Sequence, residues 1–127
     1  DLPLSNLIVL HDELDIDAET IRIKQGGGHA GHNGLRDIIS ACDSNDFTRV
    51  RIGIGRPPGR MDTADFVLKD FNSTERKNLP LTLELAADAA SACFATQLKG
   101  DVSLAVPLLQ TVPALRAGWC AHGSFRT

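Results

Sequence analysis

The sequence predicts an α/β domain, and three observations lead there. Short strand-like runs alternate with helical ones along the first hundred residues. A loop dense in glycine joins one of those strands to the helix after it. The chain, at 127 residues, has the length of one domain with a hydrophobic core of its own. Its apolar fraction of 43% and charged fraction of 23% are those of an ordinary globular protein.

The elements follow in order. Leu7-Ile8-Val9-Leu10 reads as a buried strand. It delivers His11, Asp12 and Glu13 to the edge where open α/β sheets bind their ligands. Thr20–Lys24 alternates apolar and polar, which places Arg22 and Lys24 on one face of a half-buried strand. After the glycine loop, Leu35, Ile38, Ile39 and Cys42 recur at the spacing of an amphipathic helix, closed by Asp43–Asp46. Val50–Ile54 is a second alternating strand, with Arg49 and Arg51 sharing its polar face. Arg56–Arg60 is a loop by its prolines and glycine, and Phe66–Leu68 reads as a brief strand or turn. Asn72 or Ser73 caps a long helix with Glu75 in its first turn, and Pro80 kinks that helix or marks its true start. Leu83, Ala86, Ala87, Ala90 and Phe94 give its later part an apolar face. The pattern weakens after Gly100, and residues 111–127 form a tail without a clear period.

The loop Gln25-Gly26-Gly27-Gly28-His29-Ala30-Gly31-His32-Asn33-Gly34 is the most informative segment. Five glycines allow positive φ and a close approach of ligand to backbone, and the following helix offers unpaired N–H groups. An anionic, phosphate-bearing ligand flanked by imidazole and amide groups suits such a loop. Charge supports this. Residues 1–21 hold six acids and no Lys or Arg, whereas residues 22–60 hold seven Lys/Arg against three acids. Behind a net charge of −3 lies a basic middle third, the pattern of a nucleic-acid backbone contact or of a mixed solvated surface.

Several chemistries remain open at this level. Asp12 and Glu13 can orient an imidazole, bind a hard cation or form a solvated turn. His29 and His32 suit hydrogen bonding to a ligand better than metal ligation, since no Cys or nearby Glu completes a ligand set. Asn33 either caps the helix or presents its amide to a ligand. Gly53-Ile54-Gly55 lacks the third glycine of a dinucleotide fingerprint. No serine elbow or cysteine nucleophile motif occurs, which favours an activated water over a covalent nucleophile. Three cysteines with no C-x-x-C spacing fit a reducing compartment. No apolar run reaches the ~18 residues of a membrane span.

Three stretches, Leu7–Asp15 (LIVLHDELD), Lys24–Ile39 (KQGGGHAGHNGLRDII) and Phe47–Pro57 (FTRVRIGIGRP), together resemble bacterial peptidyl-tRNA hydrolase. The resemblance covers about residues 4–98 and implies a single α/β domain, over residues 1–110, with a twisted mixed sheet flanked by helices. It implies hydrolysis of the ester joining peptide to tRNA, with no metal or other cofactor, in the cytoplasm, by a monomer with no obligatory protein partner and no membrane. Asp12 resembles the carboxylate that orients the catalytic histidine, Asn33 the substrate-binding amide beside the attacking water, and His32 the imidazole next to it that contacts substrate near the ester. Lys24 and Arg51 resemble the clamp on the tRNA 5′-phosphate, and Gly28 and Gly31, with Gly26 and Gly27, shape the loop.

The family's N-terminal segment, with its general-base histidine, has no counterpart here, so the resemblance implies an N-terminally truncated domain. The expectation is a chain holding the tRNA-facing half of the site, inactive or weak alone. A non-catalytic RNA-phosphate-binding module is the alternative, and a site for a small phosphorylated metabolite a third.

Overall fold

The computed structural model describes residues 2–98; the tail at 111–127 and the end of the expected domain at 110 lie outside them. β1 (Ile8–Glu13), β2 (Ile21–Gln25) and β3 (Thr48–Gly53) form a sheet in the order β1-β3-β2. β1 runs parallel to β3 and β2 antiparallel to it, so the sheet is mixed, as expected. Three helices accompany it: α1 (Asn33–Cys42), α2 (Thr63–Leu68) and α3 (Ser73–Leu98).

Register decides what each face carries. Ile21 lies opposite Ile52 and Ile23 opposite Val50, while Arg22 lies opposite Arg51 and Lys24 opposite Arg49. Cross-strand partners share a face, so the period of two sorts the sheet into an aliphatic side and a basic side. α3 covers the aliphatic side. Ala86, Ala89 and Cys93 pack with Ile21, Ile23 and Val50 as one buried cluster.

Three expectations need correction here. The apolar face of α3 is correct at Ala86, which is buried, and at Ala90, which packs against the core, but not at its ends. The buried stripe is Thr82, Ala86, Ala89 and Cys93, whereas Leu83 and Phe94 stay 56% and 57% exposed. Both stripes keep helical spacing and their ends lie about 100° apart, and the sheet takes the one with small side chains, which lets helix and strands approach. Phe66–Leu68 is neither strand nor turn but the end of α2, whose N-terminal N–H groups, Ala64 and Asp65, donate to the Asp62 carboxylate. Pro80 does not start α3: the helix begins at Ser73 and runs through it. Of the two candidate caps it is Asn72 that serves, and with Glu75 it forms a reciprocal box, each side chain accepting from the other's backbone N–H, at 2.8 and 2.7 Å.

The second glycine motif is a crossing of chain on chain. A Cβ on Gly53 would lie 2.0 Å from the carbonyl oxygen of Asp17 and 2.6 Å from Ile16 Cγ2. Gly53 N–H donates to Thr20 at 2.8 Å and Gly55 N–H to Ile16 at 2.9 Å. The segment after β1 is thereby sewn onto the end of β3.

Candidate active site

β1 ends in His11, Asp12 and Glu13, level with Arg51, Ile52 and Gly53 of β3. The glycine loop folds back to this end, using left-handed backbone at Gly26, Gly27, Ala30 and Gly31. Ala30 pays a steric cost of about 1 kcal/mol for that conformation. His29 holds the turn from both sides of its own residue: its Nδ1 accepts from Gly31 N–H at 3.0 Å and its carbonyl from His32 N–H at 2.8 Å.

Two roles kept apart in the sequence meet at one bond. His32 Nε2 donates to Asp12 Oδ1 at 2.8 Å. The N–H of Leu35 donates to His32 Nδ1 at 3.1 Å. A neutral imidazole has one donor and one acceptor nitrogen, so these two bonds together specify the Nε2–H tautomer. They also make His32, not Asn33, the N-cap of α1. Asn33 is the first helical residue, exposed, and its amide has no hydrogen bond among the described residues. The cap therefore falls to the imidazole, and the Asn33 amide takes no part in it. Asp12 Oδ2 likewise has no partner among the described residues.

His11 backs this pair. It is 8% exposed, and its ring stands edge-on to that of His32 with centroids 5.2 Å apart. Its Nδ1 donates to the Asp12 carbonyl at 2.8 Å, which leaves the lone pair on Nε2, a buried atom without a partner among the described residues. Burial is the main cause that pushes the His11 pKa below its ordinary value; the bond to the Asp12 carbonyl opposes it.

Two hollows meet at the loop. A cleft of about 1120 Å³ is lined by Asp12, Gly31, His32 and Asn33 on one wall, and by Phe66 and Leu79 on the other. A depression of about 170 Å³ is lined by Lys24, Gly28, Arg49 and Arg51. Glu13, Asp15, His29 and Ala30 border both. The predicted residues therefore fall into a carboxylate–imidazole–amide group and a cationic group, joined through the loop. The sequence missed the wall from α2, because 66–68 read as a strand or turn. It also missed Arg49, which is 2% exposed and sits beneath the loop. Its signal was the alternation that puts Arg49 on the face of Arg51; the register then sets it opposite Lys24. Among the described residues, no three of His, Cys, Asp or Glu gather as a metal-ligand set, and no helix is long and apolar enough to cross a membrane.

A mixed sheet with helices on it, and a carboxylate-bound imidazole at its strand end, define an α/β protein. Residues 1–106 match the family model described as Peptidyl-tRNA hydrolase. A peptidyl-tRNA hydrolase of Frankia casuarinae is 62% identical over 96 residues, which are 76% of this chain and 49% of the relative. That of Rhodococcus erythropolis is 65% identical over 85 residues, 67% of this chain and 45% of the relative. The crystal structure of peptidyl-tRNA hydrolase from Acinetobacter baumannii superposes with a TM-score of 0.66 at 36% identity, covering 82% of this chain and 50% of that one. The chain belongs to the peptidyl-tRNA hydrolase family. It spans about half the length of the relatives it matches.

Proposed function

We propose that this chain carries the tRNA-facing half of a site that hydrolyses the ester between peptide and tRNA. One observation carries the reading: Asp12 gives one carboxylate oxygen to His32 and keeps the other open, beside the unpartnered Asn33 amide. The open oxygen can accept the N–H of a second imidazole and hold it in the tautomer that takes a proton from water. The hydroxide-like oxygen then attacks the ester carbonyl and the ribose oxygen leaves. Asn33 holds the water or the carbonyl oxygen, and Lys24 and Arg51 take the tRNA phosphate from the depression next door. No metal or organic cofactor enters these steps.

The described histidines do not supply that second imidazole. His32 has both ring nitrogens engaged, His11 has its lone pair sealed inside, and His29 uses Nδ1 on Gly31. This favours the second reading, RNA binding without turnover, for the chain alone. The test is release of peptide from a peptidyl-tRNA by this chain, beside the same chain joined to a family-type N-terminal segment. The extended chain turns over and the shorter one shows at best a trace, since general-base catalysis contributes about 10²–10⁴-fold. Asp12→Asn in the extended chain removes about the same factor. Equal, full rates from both chains would make one of this chain's own histidines the base and overturn the assignment.

A further inference from the structure

Arg49 is the least expected residue on the basic side of the sheet. A guanidinium that is 2% exposed ordinarily pairs with a carboxylate. Among the described residues the ion pairs are His32–Asp12 and Arg56–Asp15, so Arg49 has none. It spends its donors on the glycine loop instead: Nη1 donates to the Gly28 carbonyl at 2.6 Å, and Nη2 donates to the Gly27 carbonyl. Its guanidinium lies over the Phe47 ring, 4.9 Å from the centroid, and Phe47 is fully buried. Burial, and then the neighbouring Arg51, disfavour its charge. Two consecutive peptide carbonyls thus replace the missing acid.

Those same peptides carry a second contact. Gly27 has φ +103°, and a Cβ built on it would lie 2.9 Å from both Cε and Nζ of Lys24. The end of the Lys24 side chain therefore rests where any other residue would carry its first side-chain atom. Gly27 is gripped by Arg49 through its carbonyl and supports Lys24 through its bare Cα. Arg49 and Lys24 lie opposite each other in the β2–β3 register, with the loop as the link between their side chains. Gln25, at the end of β2, steadies the start of the loop: its Oε1 accepts from Thr48 at 2.8 Å and its Nε2 donates to Asp46 at 3.0 Å.

We propose that buried Arg49 is a positioning residue for the RNA-phosphate site: by holding the Gly27 and Gly28 carbonyls it fixes the glycine ledge on which the Lys24 ammonium sits. Arg49 commits both Nη groups to these carbonyls and so serves the site through the loop. The inference rests on the reading of Lys24 as a phosphate contact and adds what sets the position of that contact.

The experiment is a double-mutant cycle on the whole chain. Its readout is affinity for an acceptor-stem hairpin RNA carrying either a 5′-phosphate or a 5′-hydroxyl. In the unmodified background, Lys24→Ala lowers affinity for the phosphorylated hairpin about tenfold, the size of one well-placed charge-assisted contact. In the Arg49→Met background the same change costs about twofold or less, since coupled neighbours are non-additive. Arg49→Met alone also reduces the preference for the 5′-phosphate, as Lys24→Ala does, which general loosening would not do. Arg49→Lys, with charge but no planar fork, recovers part of the preference at most.

Equal losses for Lys24→Ala in both backgrounds overturn the proposal, and so does an Arg49→Met loss that is the same for both hairpins. If Arg49→Met does not fold by circular dichroism, Gly27→Ala takes its place: it keeps Arg49 and removes the seat of Lys24. Additivity of Gly27→Ala with Lys24→Ala is then the overturning result. Indifference of the unmodified chain to the 5′-phosphate, with Lys24→Ala silent, defeats the phosphate reading itself and the proposal with it. That outcome is distinct from tight, Lys24-dependent binding without coupling.

Discussion

The chain has two glycine clusters, 26–31 and 53–55, and they do opposite things. In the first, Gly28 and Gly31 have no heavy atom within 4 Å of a notional Cβ. In the second, Gly53 has none of that space, with a backbone oxygen 2.0 Å from the same notional atom. The first cluster keeps a surface bare so that Lys24 and Arg49 can use the backbone. The second lets two backbones cross. Sequence alone gives both the same letter. The difference lies in what arrives from elsewhere in the chain, the turn at Ile16–Asp17 for one and two cationic side chains for the other.

That contrast predicts a gradient of effects. Gly53→Ala is the most damaging single change, because the atom it meets is main chain and cannot rotate away. Overpacking costs about 1–3 kcal/mol where side chains yield, and more is expected where backbone must move. Urea unfolding should show the variant largely unfolded, or destabilised by at least about 3 kcal/mol. A stability within about 0.5 kcal/mol of the parent, inside the range of unremarkable surface changes, would mean the crossing is loose and the contrast empty.

His32→Ala comes next. It removes the cap of α1 and leaves Asp12 without its imidazole, for a loss of about 1–2 kcal/mol. His32→Asn separates the two jobs. Asn caps well but is too short to serve both Leu35 and Asp12, so it should restore most of the stability without restoring turnover in the extended chain. Recovery of both by Asn would show that the bond to Asp12 is incidental.

Within the first cluster, conformation and space can be told apart. Gly31 has φ +83° with open surroundings, so Gly31→Ala costs about 1–2 kcal/mol from backbone strain alone. Gly28 is equally open without a positive φ, so Gly28→Ala stays within about 0.5 kcal/mol of the parent. Thermal unfolding of the pair orders them, and equal effects would erase the distinction between a strained glycine and a merely bare one.

What the sequence disclosed follows the same division. Period-two runs located β2 and β3 and the shared faces of Arg22 with Lys24 and of Arg49 with Arg51, because strand alternation is a local rule, while β1 was located by its apolar run. A cap at Asn72 or Ser73 was legible for the same reason, though not the reciprocal bond to Glu75. The cap on α1 was not, since Asn33 looks the better cap by composition and only the fold shows Asp12 steering His32 into that place. The cap at Asp62 went unread because the apolar triplet Phe66–Leu68 drew attention to itself. Depth was also hidden. Arg49 and Arg51 are identical in pattern, yet Arg49 is buried under the loop and Arg51 only half-buried. Nor could helical period choose between the Leu83–Phe94 stripe and the Ala86–Cys93 stripe, since both satisfy it.

The smallest expected effect concerns acid, and it should fall on one glycine cluster before the other. His11 is buried against His32, and burial holds its pKa below the ordinary value near 6.5. Between the lowered folded value and about 6.5, the unfolded chain therefore binds more protons than the folded one. Stability is complete above that window and falls as pH drops through it, by at most about 1.4 kcal/mol per pH unit for the one proton. The loss levels off only below the folded pKa. His11→Leu removes the titrating group and its sealed, unpartnered nitrogen, so the slope of stability against pH in this window should shrink. The parent's acid response should also be local. Amide exchange at Gly31, His32 and Leu35, which lean on the His11–His32 contact, should quicken at a higher pH than exchange at Gly53 and Gly55, after correction for intrinsic rates. An unchanged slope in His11→Leu would transfer the acid response to other groups. Simultaneous opening of both clusters would mean that the loop and the crossing unfold as one unit, however differently their glycines are built.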